Sequence, residues 1–147
     1  MLDGQVPDLR ACGSRRQSAA LPMLGTGAAL RVVLVTSRET KRWVVPKGWI
    51  EPREPPHRSA AREAFEEAGL QGEAAAEPLG TYAYPKRLAS GAVIMTEVLV
   101  YRFRVTRLLH DWPERRERVR RLFTPDAAAS LVAEPGLSEL LRALREG

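Results

Sequence analysis

The stretch GWIEPREPPHRSAAREAFEEAGL, from Gly48 to Leu70, limits what this chain can fold into more than any other, because it sets Glu63, Glu66 and Glu67 within five residues on a predicted helix. The helix is expected from about Pro55, where the missing proline N–H costs nothing in the first turn, to Gly69 as the left-handed residue that closes it. Ala61, Ala64, Phe65 and Ala68 recur at i, i+3, i+4 and i+7 and form the predicted apolar face. At about 100° per residue, the three glutamates fall together within a third of the circumference on the opposite side. Glu63 and Glu67 are then i,i+4 neighbours, a repulsion of about a few tenths of a kcal/mol that Arg62 offsets only in part. Two arrangements answer it: a solvated acidic face, or a hard divalent cation held by carboxylates, water and substrate phosphates beside the Gly48 turn.

The rest of the chain is expected to frame that helix with mixed α/β structure. SAALPML and ALRVVLVTSR read as strands, the second a near-continuous β-branched run of the kind buried on both faces. RWVVPKG reads as a short strand ended by Pro46 and Gly48, and LGTYAYPKR with GAVIMTEVLVYRFRVTR as a strand pair around Ser90-Gly91. VRRLFT is a short strand leading into the helix PDAAASLVAE with Thr124 as N-cap, and GLSELLRALREG an amphipathic helix with Leu137, Leu140, Leu141 and Leu144 on one stripe. With 147 residues and 44% hydrophobic content, one domain over 18–147 is expected, and residues 1–17, which lack an apolar period, read as a loose tail. Cys12 has no partner for a disulfide, Met1 to Ala20 lacks the apolar region of a signal peptide, and no apolar run approaches a membrane span; a cytoplasmic location without membrane contact is expected. The formal charge of +5 and the preference for arginine over lysine point to an anionic partner.

Gly48, Glu54, Arg62-Glu63, Glu66-Glu67 and Gly69 match at fixed spacing the signature G-x5-E-x7-R-E-U-x-E-E-x-G-U, with Ala64 and Leu70 in the aliphatic positions U. On these residues the chain resembles the Nudix hydrolase family, and its element order from about Ala19 to Leu144 resembles the Nudix α/β/α sandwich, a mixed β-sheet flanked by helices. The resemblance implies Mg²⁺, with Mn²⁺ as a substitute, held by Glu63, Glu66, Glu67 and the Gly48 carbonyl. Arg62 and Glu54 are implied to keep loop and helix in register. The implied reaction is hydrolysis of a nucleoside diphosphate linked to another moiety, or of a related phosphoanhydride, by in-line attack of water. Glu66 is favoured as the base within the motif, with Glu114 or Glu117 as alternatives from a later loop.

VLVTSRETKRWVVPKGWIEP, Val33 to Pro52, is similar to the diphosphoinositol polyphosphate phosphohydrolases, a branch that also hydrolyses diadenosine polyphosphates. That likeness implies phosphate binding by Ser37-Arg38 and Arg42-Trp43, while Lys47-Gly48-Trp49 departs from the glycine run usual in the branch. In ERRERVRRLF, alternation along a strand turns Arg118 and Arg120 to one side, so these two join Lys47 as expected substrate contacts, and Arg115, Arg116 and Arg121 read as a solvated edge. Lys86-Arg87 is placed to close the same site, and Trp43, Trp49 and Tyr84 are candidates to stack on a base. Glu97, in register with Val93, Met95, Leu99, Tyr101 and Phe103, is expected on an apolar strand face, where it needs an arginine, a hydroxyl or the metal's surroundings. His57 and His110 fall in surface turns and receive no catalytic role. The expected partner is a small-molecule polyphosphate, bound by a monomer or homodimer; nucleic acid is not expected, since no aromatic ribonucleoprotein motif accompanies the basic charge. The alternatives are a non-catalytic Nudix module that senses a nucleotide or metabolite, and a Nudix pyrophosphatase acting on nucleotide sugars or nucleoside triphosphates.

Overall fold

The computed structural model describes residues 16–144. Along the chain come Gln17–Leu24 (β1), Arg31–Thr36 (β2), Trp43–Val44 (β3), Lys47–Trp49 (β4), Pro56–Ala68 (α1), Leu70–Ala74 (β5), Gly80–Arg87 (β6), Val93–Leu108 (β7), Arg120–Phe123 (β8), Pro125–Leu131 (α2) and Pro135–Arg142 (α3). Residues 1–15 of the predicted tail, Cys12 among them, lie outside the described residues. Gln17 belongs to β1 and not to a tail: its side chain is buried, and its Oε1 accepts a 2.7 Å hydrogen bond from Tyr84 Oη.

The mixed sheet is built around one parallel pair, β1 with β7, in which Gln17–Met23 lies alongside Val98–Arg104. The remaining pairings are antiparallel. β2 and β4 pair with different parts of β1, β5 and β6 with different halves of β7, and β3 and β8 both with β2. Because successive strand residues face opposite sides, each central strand feeds two cores. Ala19, Leu21, Val32, Leu34, Val98 and Val100 pack toward α2 and α3, whereas Ala20, Val33, Val35, Leu99, Tyr101 and Phe103 pack toward α1. The β2 run is therefore buried on both faces, as its composition predicts. Thr124 caps α2 by accepting from Ala127 N at 3.2 Å, and the stripe of α3 buries Leu137 and Leu141.

Several expectations change. RWVVPKG is two short strands separated at Val45-Pro46, and β5 forms from LQGEA, which has too little β-branched content to announce a strand. The buried face of α1 runs through Ala60, Glu63, Ala64, Glu67 and Ala68, while Phe65 is 42% exposed. The predicted apolar face is thus rotated, because α1 packs against β4 as well as β1 and draws two glutamates inward. Glu97 is not buried: Met95 beside it on the strand is 63% exposed, and Glu97 meets Arg16 at 3.6 Å in the open.

Candidate active site

Proline at the first helical position and Gly69 in the left-handed conformation (φ 65°) bound α1, and its N-terminal end is tied to the preceding loop through Glu54. Glu54 accepts from Ser59 Oγ at 2.7 Å and from Arg62 at 2.9 Å, and Arg62 in turn reaches Glu63 at 3.0 Å and Glu66 at 3.8 Å. Arg62 beside it holds the Glu54 carboxyl below the usual range. The register role expected of Arg62 and Glu54 corresponds to these bonds.

The glutamates open onto a cleft of about 390 Å³ whose lining includes Gly48, Glu63, Glu66, Glu67 and Glu114 with Arg38, Lys47, Lys86 and Arg118. The Gly48 backbone is pressed so closely to Glu63 that any side chain at position 48 would run into the carboxylate. Lys47 N donates to Glu67 Oε1 at 3.3 Å, and Arg118, almost wholly buried, bridges Glu67 at 3.5 Å and Glu114 at 2.7 Å while donating to Thr36 O. Burial pushes Glu67 up to about 8 against the opposing pull of Arg118, and burial likewise raises Glu63 against the pull of Arg62. Desolvation lowers Lys47, which lies 5.3 Å over the Tyr84 ring. Lys86 stands 5.8 Å over Trp49. Among the described residues no three histidine, cysteine or carboxylate side chains are already gathered into a metal cage. Arg62 pairs with Glu63 and Glu66, and Arg118 with Glu67.

The predicted site residues do not all meet. Ser37 and Arg38 line the cleft, although Ser37 Oγ is bonded to Thr40 and to Arg42 N, and Arg38 to Glu117 at 3.0 Å. Arg42 is outside that lining and pairs with Glu134 at 3.5 Å. Arg120 is outside it too: its guanidinium donates to the carbonyls of Ala68, Gly69 and Leu109 and stacks 4.3 Å over Trp112. Trp43 packs edge-on against Phe123 in the other core, so of the three aromatics named for stacking, Trp49 and Tyr84 line the cleft. Sequence reasoning missed Trp112 and Glu134. A tryptophan alone in the polar loop after β7 was a signal for the first; nothing local marked the second, a buried carboxylate whose Oε1 has no hydrogen-bond partner.

A family profile described as the NUDIX domain matches residues 14–144. Nudix hydrolase 12, mitochondrial, of Arabidopsis thaliana is 33% identical over 127 residues, covering 80% of this chain and 61% of its own length. Diphosphoinositol polyphosphate phosphohydrolase 3-alpha of Homo sapiens is 32% identical over 105 residues, 69% of this chain and 58% of its own, so the chain spans about three fifths of the length of these curated relatives. In fold, it matches a solved C. elegans Ap4A hydrolase with a TM-score of 0.61 at 16% identity, over 88% of this chain and 94% of that one. No helix among the described residues is long and apolar enough to cross a membrane. With the profile running from the start of the parallel strand pair past the last helix, and the glutamate helix at its centre, the chain belongs to the NUDIX domain family.

Proposed function

We propose that this chain is a divalent-cation-dependent hydrolase of phosphoanhydride bonds in small polyphosphorylated molecules, diadenosine or diphosphoinositol polyphosphates. The observation that carries the reading is a cleft lined both by the three glutamates of α1 and by Arg38, Lys47, Lys86 and Arg118. The donor set suits a hard cation: Glu63, Glu66 and Glu67 offer only oxygen, Gly48 brings main chain against Glu63, and two of the three carboxylates are raised by burial, a cost that a cation removes. Mg²⁺ or Mn²⁺ held by these residues would supply charge neutralisation on the phosphate oxygens.

Each remaining role falls to the chain's own groups. Glu66 is 38% exposed where Glu63 and Glu67 are 11%, so solvent reaches it, and we assign it the proton of the attacking water. Arg118, 7% exposed, Lys47 and Lys86 meet phosphates within the cleft, and Arg38, 58% exposed, meets them where the cleft opens to solvent. Arg38 must exchange Glu117 for the substrate, which its 58% exposed side chain permits. A nucleotide sugar, with two phosphates, leaves part of this set unpaired, whereas a tetraphosphate bridge or a crowded inositol ring engages it.

Steady-state kinetics with saturating Mg²⁺ tests the reading. Diadenosine tetraphosphate and a diphosphoinositol polyphosphate are expected to give kcat/KM at least about tenfold above ADP-ribose or a nucleotide sugar, the margin of one charge-assisted contact. Equal or better values on the sugar nucleotide reassign the chain to the pyrophosphatase class, and no turnover on any of them leaves a sensing module.

A further inference from the structure

An α-helix ends with backbone carbonyls that have no partner within it, and water ordinarily serves them. At the end of α1 they are served by one stretch of chain, the loop between β7 and β8 together with Arg120, the first residue of β8. Glu66 O accepts from Glu114 N at 3.1 Å, Glu67 O from Trp112 Nε1 at 3.0 Å, Ala68 O from Arg120 Nη1 at 2.8 Å, and Gly69 O from Leu109 N at 2.9 Å. The Trp112 ring occupies the space that a side chain at Gly69 would fill, and the Arg120 guanidinium stacks on that ring. A cation is thereby fixed against the negative end of the helix dipole.

From this geometry we infer that Trp112 and Arg120 are positioning residues, a clamp on the main chain of Glu67 through Gly69 that, with the Glu114 amide on Glu66, sets where the Glu66 and Glu67 carboxylates stand for a divalent cation. Two of the bonded carbonyls belong to the glutamates themselves, so a shift of the loop by a fraction of an ångström moves the side chains with it. The same loop carries Glu114 and Arg118 into the cleft, and Arg118 reaches the Glu67 carboxylate whose main chain Trp112 holds. One segment thus grips Glu67 at both ends. A helix merely needing its carbonyls satisfied would not require them to come from the wall of the cleft it faces.

The inference rests on the cation-dependent reading for its kinetic arm only, and its primary measurement is Mn²⁺ binding to the protein without substrate. Trp112→Phe keeps a ring over Gly69 and loses the indole N–H; Arg120→Lys keeps the charge and loses the fork that spans three carbonyls. At a temperature where circular dichroism shows both variants folded, each is expected to bind Mn²⁺ about tenfold to a hundredfold more weakly, the range seen when groups that orient metal ligands are lost. In turnover, kcat is expected to fall with the polyphosphate KM little changed. Linkage demands the converse in the wild type: saturating Mg²⁺ must slow hydrogen exchange at the Leu109 and Glu114 amides. Mn²⁺ affinity within about twofold of wild type in both folded variants overturns the clamp, since linkage allows no coupling without a change in affinity. Unaltered exchange at both amides overturns it as well, and decides the matter should neither variant fold. A wild type that binds Mn²⁺ yet hydrolyses no polyphosphate sinks the hydrolase reading and leaves the clamp standing on the binding data.

Discussion

Glu67 is the residue at which burial and charge are most at odds. Its carboxyl is raised to about 8 first by desolvation, and Arg118 only partly restores the anion. A folded value raised above the ordinary 4.5 means that the protonated form favours the folded state, a contribution complete below about 4.5 and lost as pH rises through about 8. In chelator, the wild type should therefore lose stability relative to Glu67→Gln, which mimics the protonated acid, between pH 5.5 and 8.5. Parallel thermal melts read this directly, and a Tm difference that does not change with pH would refute it. Residue by residue, the signature was legible because its residues stand at fixed spacing, and Arg62 donates to Glu54 within it. Arg118 and Arg120 were not separable in the sequence. Alternation puts them on one side, but it holds only within a strand, and β8 begins at Arg120, so Arg118 lies on the turn before it and swings into the cleft.

At the scale of elements, Gly69 ties α1 to its surroundings twice. A left-handed residue is needed there, which costs a residue with a Cβ roughly 1–2 kcal/mol, and the Trp112 ring leaves no room for that Cβ. Gly69→Ala should accordingly lose more than about 2 kcal/mol in urea unfolding, beyond the left-handed penalty alone. In a Trp112→Leu background, the loss should shrink toward that penalty; a loss of the same size in both backgrounds would show that the ring is not what excludes the side chain. With Pro55 as N-cap and Pro56 as the first helical residue, the ends of α1 were readable to within a residue from Pro55 and Gly69, whose backbone requirements are local. Its rotation was not, because Ala61 and Phe65 fit the helical period as well as Ala60 does, and only the packing of β4 against the helix selects between them. β5 escaped notice for the same reason: LQGEA becomes a strand by pairing with the second half of β7, a partner 29 to 38 residues away, from Ala74↔Phe103 to Leu70↔Leu108.

For the whole molecule, the formal charge of +5 bears on the cleft only through its lining. There Arg38, Lys47, Lys86 and Arg118 stand with five glutamates, so an incoming polyphosphate meets net positive charge only once a divalent cation occupies the carboxylates. These four cations differ in exposure, and salt acts on them unequally. Arg118 is 7% exposed and shielded from ions, whereas Arg38 is 58% exposed and lies within reach of a Debye layer of about 10 Å at 0.1 M salt. Raising NaCl from about 0.05 to 0.5 M at saturating Mg²⁺ should therefore lower kcat/KM for a polyphosphate about threefold to tenfold, with the change in KM and kcat nearly constant. Arg38→Ala should begin with a higher KM and respond less to salt, because the most exposed contact is already gone. An uncharged solute at equal osmolality serves as the control. Should kcat/KM stay flat across the salt series, the exposed Arg38 plays no part in capture, and recognition would rest on Lys47 and on Arg118, whose side chain is 7% exposed, both of which line the cleft with the glutamates.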